Sequence, residues 1–441
     1  MHHFASCKKK LIYSFILFFF FHTIVFAQYL SNSETRVWLN QHLQFDLAKI
    51  SENVSPNDGL PGAVIAAKTK HDPNYYYHWV RDAGITIDSL IQVYPSLSVD
   101  QKKAISTIMF DYLDFSARIQ KVNTLSGLGE PKFNVDGTAF NDMWARPQND
   151  GPAMRAISLI DWANILIAEG KESIVKEKLY KAEIPAVSPI KMDLEYVSHH
   201  WNDPSYDLWE EVKGTHFYTL MIERRALIQG AKLARYLNDE GAANWYQKQA
   251  KAIEDELQNF WDPLKGYFVE TPNRVDGLDY KYSNLDVAVI LGLLHGGLND
   301  GFLNWDDQRV TSTIEKLIDA FAKLYPINQR KEIPGVAIGR YPEDKYNGYA
   351  FTGGNPWPLC TLAIAEALYR YAQVLTNKGE KQKAAEIANY ADQFVERVRY
   401  HANSDGSLNE QINKNTGYMT SVSDLTWNYA ALITARQAVV Q

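Results

Sequence analysis

A mostly α-helical toroid, with helix pairs in two layers, is the fold this sequence predicts, and three observations predict it. Apolar residues recur at helical spacing along segments separated by loops rich in Gly, Pro, Asn and Asp. Several segments are apolar around much of their circumference, as Leu359 to Leu368 is through Leu362, Ala363, Ile364, Ala365 and Ala367. Such helices require a second layer outside them. Runs that alternate with period two are scarce, and Gly335-Val336-Ala337-Ile338 is too short to support a sheet.

The first element along the chain is a targeting segment. Lys8-Lys9-Lys10 is a basic start, Leu11 to Phe26 is an apolar run, and Val25 and Ala27 suit a cleavage after Ala27. The run is short beside the roughly 20 residues that a membrane span needs. Residues 1–27 therefore read as a signal peptide, and secretion to the extracellular or periplasmic space is expected, with an uncleaved anchor as the alternative. Residues 28–441 carry no low-complexity linker or composition break and read as one catalytic-sized domain. Helices are predicted over 34–51, 83–94, 99–121, 151–169, 171–182, 190–199, 214–237, 239–260, 284–294, 306–325, 356–377, 379–399 and 424–439. In 214–237, Phe217, Leu220, Met221, Ile228 and Ala231 share one face, with Glu223 and Arg235 off it. The last segment opens on Ser423 and Asp424, which predict an N-terminal cap.

Composition narrows the function. Aromatic residues make up 13% of the 441 residues, including 26 Tyr and 11 Trp, a supply of flat amphipathic rings that serves sugar stacking as well as core packing. Net charge is −7 and falls to −10 once Lys8, Lys9 and Lys10 leave with the signal. An acidic secreted chain is a poor partner for nucleic acid or for an anionic membrane, so neither is expected, and a neutral substrate suits it. Cys360 is the one cysteine after Cys7 is lost, which leaves no intramolecular disulfide; its apolar setting predicts a buried small hydrophobe. The histidines show no metal-ligand spacing, and there is no Gly-rich phosphate loop or nucleophile elbow, so no metal and no cofactor are expected.

Five loop blocks carry candidate chemistry. In Asp72 to Asp82, Arg81 and Asp82 set donors beside acceptors, a pairing that can hold two neighbouring hydroxyls or can simply start a helix with Asp82 as its cap. Phe133 to Thr138 and Met143 to Pro152 follow. Trp144 sits in a Gly/Pro/Asn-rich loop that suits a platform, Arg146, Gln148 and Asp150 add polar groups, and Asp150-Gly151-Pro152 predicts a helix cap. In Asp207-Leu208-Trp209-Glu210-Glu211-Val212, a Glu210 carboxyl against Trp209 or Trp144 would be kept protonated as a general acid, while Glu211 would stay ionised; two solvated acids are the plain alternative. Arg340, in Gly339 to Asp344, can orient a carboxylate or bind a hydroxyl, and Trp357 follows a Gly-Asn-Pro turn near a cleft or the surface. Glu410, in Asp405 to Gln411, has no obvious partner in sequence and is free to hold a water.

In this order the blocks resemble the glucoamylase family (glucan 1,4-α-glucosidases), particularly its fungal-type members. The matching stretches are Tyr75 to Asp82, Gly129 to Asp136, Trp144 to Arg155, Tyr206 to Gly214, Gly339 to Asp344, Gly354 to Leu359, Asp405 to Gln411 and Asp424 to Thr434. The resemblance implies an all-α (α/α)6 barrel with a pocket at one end. It also implies an inverting, exo-acting enzyme that releases β-D-glucose from the non-reducing ends of α-1,4-glucans. Glu210 matches the general acid, Glu410 the general base, and Arg81 and Asp82 the pair gripping the terminal glucose, with Tyr75 beside the catalytic water. Trp144, Leu208, Glu211, Arg340 and Trp357 match further binding positions. The sequence departs from the fungal pattern at His78 and Val80, at Asn141-Asp142-Met143, and over Asn347 to Gly353, which lengthens the loop before Trp357 and bears on the outer subsites. A monomer is expected, without a starch-binding module after Gln441. The alternatives are another (α/α)6 glycosidase specificity, for α-1,6-glucan or trehalose, and a non-catalytic glucan-binding or regulatory toroid.

Overall fold

The computed structural model describes residues 32–440. The predicted signal peptide, 1–27, lies outside these residues. Each predicted helix is present: α1 Asn32–Asn53, α2 Val80–Val93, α3 Val99–Ile119, α4 Asp150–Ala168, α5 Glu172–Ile174, α6 Pro189–His200, α7 Phe217–Tyr236, α8 Glu240–Leu257, α9 Ala288–Gly296, α10 Gln308–Leu324, α11 Pro358–Asn377, α12 Lys381–His401 and α13 Thr426–Val440. Short strands join them: β1 His78–Trp79, β2 Lys132–Phe133, β3 Ser205–Tyr206, β4 Val212–Thr215, β5 Trp261–Asp262, β6 Tyr267–Phe268, β7 Asn273–Gly277, β8 Asn409–Ile412 and β9 Met419–Ser423.

Six helices close a ring, with α2 packed on α4, α4 on α7, α7 on α9, α9 on α11, α11 on α13, and α13 back on α2. Their sequences explain the inner position. Residues Asp150 to Ile160 of α4 are buried without a break, as are Ala288 to Leu293 of α9 and Pro358 to Tyr369 of α11. The second layer is amphipathic. In α10, Val310, Thr313, Ile314, Leu317, Ile318 and Phe321 recur at helical spacing and are buried, and the opposite face is polar. Outside the ring α1 packs on α13 and α12, α6 on α4 and α7, α8 on α7, and α12 on α11. This is an (α/α)6 barrel, six inner helices and six outer, with α5 a single extra turn.

Some boundaries move for identifiable reasons. Helix α2 begins at Val80, so Asp82 lies inside its first turn and does not cap it. Asp150 likewise occupies the first turn of α4 behind the N-cap Asn149, and its carboxylate is engaged by Arg81 instead of by the helix N–H groups. The start of α9 is delayed to Ala288 because the Asp286 carboxylate takes the Ala288 N–H at 2.8 Å and Ser283 Oγ takes the Leu285 N–H. The segment predicted over 171–182 makes one α turn and then a π turn through Leu179. Asp424 does not cap α13: it has φ +55°, and its carboxylate receives Lys49 and the Tyr429 hydroxyl. Cys360 is a free, fully buried thiol in α11, as its sequence setting predicts.

The inner helices all begin at one end of the ring. Their first turns and preceding loops are hydrogen-bonded to one another there: Leu359 N–H at the start of α11 donates to Asn428 Oδ1 at the start of α13, Val287 N–H to Arg340 O, and Tyr206 N–H to Pro147 O. All five blocks singled out in the sequence lie in or beside these loops.

Candidate active site

Glu210 is presented by a tight, cross-braced turn between β3 and β4. Asp207 Oδ1 accepts the N–H groups of Glu211 (2.7 Å) and Val212 (2.9 Å), and Asp207 O accepts the N–H of Glu210. Glu210 adopts φ +64°, a left-handed conformation that non-glycine residues hold only when the surroundings impose it. Burial pushes the Asp207 carboxyl up, but Lys281, His216 and the two backbone donors outweigh it and hold the group below its ordinary value. Lys281 lies 3.5 Å from Asp207 and also pairs with Asp286.

The turn sends the adjacent acids in different directions. Glu210 Oε1 accepts three N–H donors: Trp79 Nε1 at 2.8 Å, Trp144 Nε1 at 2.9 Å and Gln148 Nε2 at 2.9 Å. An oxygen receiving three donors has no lone pair left for a proton, so a proton carried by Glu210 sits on Oε2. Glu211 instead accepts Arg340 Nη2 at 2.7 Å and the Tyr341 hydroxyl at 2.6 Å. Burial raises the Glu211 carboxyl above its ordinary value, against the pull of Arg340, which works against its staying ionised. Of the two tryptophans expected beside Glu210, Trp144 reaches it and Trp209 does not. The Trp209 indole N–H turns inward to Asp286, at 3.0 Å, and its ring packs near Trp357 and Trp427. Leu208 has its side chain in the core and leaves only backbone for a ligand.

Glu410 sits in the β8–β9 hairpin where the register shifts between Asn409 and Gln411. The bulge places Ser421, at φ +67°, so that its Oγ donates to Glu410 Oε2 at 2.5 Å. Gln411 Nε2 donates to the same oxygen at 3.0 Å, and the Tyr75 hydroxyl donates to Oε1 at 2.7 Å. Glu410 is thus far from partnerless: three of about four acceptor sites on a carboxylate are taken, which leaves one on Oε1. Burial lifts its carboxyl to about 7, opposed by Ser421, Tyr75 and Arg340.

A closed circuit of contacts joins the two acids. Tyr75 packs edge-on to Trp79, with centroids 5.8 Å apart, and Trp79 holds Glu210. Glu211 holds Arg340, whose guanidinium lies 5.4 Å from the Tyr346 ring centroid, and the Tyr346 hydroxyl meets that of Tyr75 at 3.0 Å. Arg340 is fixed by a fork on Asp344 through Nε (2.8 Å) and Nη2 (2.7 Å). Replacing it by lysine removes the Nε limb of that fork and the planar guanidinium that carries Nη2 to Asp344 and Glu211 together, because the lysine side chain is shorter. Arg340→Lys is expected to lower kcat/KM on maltooligosaccharides by roughly 10- to 100-fold, mainly through KM, in steady-state kinetics.

Arg81, at the start of α2, donates from Nη1 to Gln148 (2.8 Å) and Asp150 (3.2 Å), and its Nη2 lies 3.3 Å from Asp82 Oδ2. Burial pushes Asp82 up to about 6, with Arg81 opposing. Arg81 Nε, Asp150 Oδ1 and Trp357 Nε1 are buried without a hydrogen-bonding protein partner, and Asp82 Oδ2 has only its ion pair with Arg81. Trp357 is 6% exposed, so it lines the interior and not the surface. Arg146 is not brought to the acids; it is tied to Glu130 and to the carbonyls of Phe140 and Asp142. A surface cavity of about 390 Å³ between α1 and the loop after α12 contains none of these groups. Among the described residues, no group of three or more His, Cys, Asp or Glu is placed to hold a metal ion.

Trp79, Tyr341, Tyr346, Ser421 and Lys132 join the site with no role legible in the sequence. The Lys132 ammonium lies over the Trp144 ring, 3.1 Å from its centroid, and within 4.5 Å of the centroids of Phe140, Tyr77 and Trp79. Burial brings it down to about 8, against the attraction of Glu210. Trp79 stood beside Arg81 in the first block and was open to discovery. Lys132 lies within the matching stretch Gly129 to Asp136, which carries no role for it, and nothing in the sequence points to Ser421.

A closed helical toroid with two carboxylates, buried arginines and indole N–H groups at one mouth defines an enzyme suited to acid–base chemistry on a hydroxylated substrate. A family model described as "Glycosyl hydrolases family 15" matches residues 41–437. A glucoamylase of Blastobotrys adeninivorans is 35% identical over 425 residues, covering 87% of this chain and 68% of that protein. An intracellular sporulation-specific glucoamylase of Saccharomyces cerevisiae is 31% identical, covering 93% and 86%. The solved glucoamylase of Saccharomycopsis fibuligera superposes with a TM-score of 0.82 at 28% identity, over 95% of this chain and 98% of that one. The chain belongs to glycosyl hydrolases family 15 and is a glycoside hydrolase.

Proposed function

We propose that this protein is a secreted, inverting, exo-acting hydrolase that releases β-D-glucose from the non-reducing ends of α-1,4-glucans such as starch, glycogen and maltooligosaccharides. Its class is glucan 1,4-α-glucosidase, in keeping with the glucoamylases it resembles over most of its length. The observation that carries the finer reading is the placement of Glu210 and Glu410, bridged by Tyr75 and Trp79 and held by unlike partners.

Glu210, through Oε2, gives its proton to the glycosidic oxygen as the bond from that oxygen to C1 breaks. Glu410 takes a proton from a water at the free acceptor site on Oε1, and the water oxygen bonds C1 from the opposite face. The products are glucose of inverted configuration and a chain shortened by one unit; the enzyme ends with Glu210 ionised and Glu410 protonated. Arg81 and Asp82 bind hydroxyls of the terminal sugar, and Glu211 with Arg340 binds the next, with Trp144, Trp357 and the Leu208 backbone completing the walls. The enzyme acts as a monomer, with no cofactor.

A panel of maltose, isomaltose, trehalose, dextran and soluble starch tests the substrate class by glucose release. Preference for maltose and starch supports the reading; preference for isomaltose, dextran or trehalose replaces it by another (α/α)6 specificity, and inactivity on all five by a binding toroid. Secretion rests on residues 1–27. Fractionation of cells expressing the full chain and a chain lacking 1–27 should place glucose-releasing activity outside the cytoplasm for the first alone.

A further inference from the structure

Four aromatic rings close a circle around one ammonium. Tyr77 meets Trp79 edge to face with centroids 5.8 Å apart, Trp79 meets Trp144 at 6.2 Å, Trp144 meets Phe140 at 5.9 Å, and Phe140 meets Tyr77 at 5.1 Å. Lys132 lies among them, 1% exposed, with Nζ between 3.1 and 4.5 Å from all four centroids. Strand pairing puts it there, since β1 and β2 run antiparallel with Trp79 opposite Lys132. Its side-chain contacts among the described residues are with these rings and include no ion pair, although a buried charge ordinarily has one.

The cage backs on Glu210. Trp79 and Trp144 are two of the three donors to Glu210 Oε1, through their indole N–H groups. A cation over the face of an indole draws electron density from the ring and makes its N–H a stronger donor. Burial brings the Lys132 ammonium down to about 8, which leaves it charged at acidic and neutral pH. Of the charged groups around it, Glu210 weighs most, by attraction; Arg146 repels it, and Asp142 and Glu130 attract it less. Glu130 is already paired with Arg146 at 2.7 Å. The charge that Lys132 answers is therefore that of Glu210.

We propose that Lys132 is a positioning residue for the general acid: through the indoles of Trp79 and Trp144 it stabilises the carboxylate that Glu210 becomes on giving up its proton, and so sets how readily that proton is given. The inference rests on the general-acid reading of Glu210, which fails separately if Glu210→Gln keeps the wild-type rate on maltose. Lys132→Met removes the charge and keeps most of the length, whereas Lys132→Arg keeps the charge. Without the cation the ionised acid is disfavoured and the proton is held to higher pH. The alkaline limb of the pH profile of kcat/KM on maltose therefore moves up by about one unit in Lys132→Met. At the wild-type optimum its kcat on maltose falls by about three- to tenfold with KM little altered, and the fall on α-D-glucosyl fluoride is smaller. Lys132→Arg leaves the limb near its wild-type position, and Lys132→Gln, a second uncharged variant, moves it as Lys132→Met does. An alkaline limb that stays in place in the uncharged variants overturns the proposal, because rings merely held apart by a side chain would lose rate without moving it. A limb displaced equally by Met and Arg overturns it too, and so does failure of both uncharged variants to fold, which would make the lysine a structural post.

Discussion

Glu210→Gln is expected to lose 10²- to 10⁴-fold in kcat on maltose, roughly the range that a positioned proton donor contributes. The substitution keeps the geometry: the amide oxygen can still accept from Trp79, Trp144 and Gln148, all of which meet one oxygen of the native side chain. What disappears is the transferable proton on the other oxygen. The same variant should be much less impaired on α-D-glucosyl fluoride, because fluoride departs with little protonation. Steady-state rates on the two substrates make the comparison. A variant near wild-type on maltose would remove Glu210 from the acid role, and equal losses on both substrates would mean that the change disturbs binding.

Glu410→Gln is expected to lose activity on a comparable scale with both substrates, since neither reacts without an activated water. It should also alter stability in a pH-dependent way. Burial lifts the Glu410 carboxyl from 4.5 to about 7. The folded protein therefore holds this proton more tightly than the unfolded chain does. The group's contribution to stability is fully present below pH 4.5 and is lost as pH rises through 7. The glutamine variant does not titrate. It should gain on the wild type by an amount on the order of 3 kcal/mol between pH 4.5 and 8, whatever constant offset its altered hydrogen bonds to Tyr75, Ser421 and Gln411 introduce. Urea unfolding of both proteins at the two pH values measures this difference. Parallel stability profiles would show that the carboxylate is not held at a cost.

Much of this architecture is legible in the sequence because it rests on local periodicity. The inner helices announce themselves as segments apolar all round, such as α11, and the outer ones as amphipathic segments, such as α10, while Gly, Pro and Asn mark the loops. The loops bearing the acids could also be picked out by residue type. Which partner each acid would meet was not legible. Trp209 and Trp144 were equal candidates beside Glu210, and the choice depends on the left-handed backbone of Glu210 and on Lys281 and Asp286, more than 70 positions downstream. Asp150 has every mark of a helix cap until Arg81, on another helix, reaches it. Ser421 meets Glu410 only through a bulge in the hairpin, and Tyr346 meets Tyr75 across 271 positions. Contacts of that kind are made by closure of the ring, and no window of sequence contains them.

The central claim is that Glu210 and Glu410 act on opposite faces of one sugar in a single displacement. Proton NMR of the first minutes of maltooligosaccharide digestion tests it most directly, because the anomeric protons of α- and β-glucose are resolved before mutarotation mixes them. Glucose appearing first as the β anomer is the predicted result; glucose appearing first as the α anomer would contradict it.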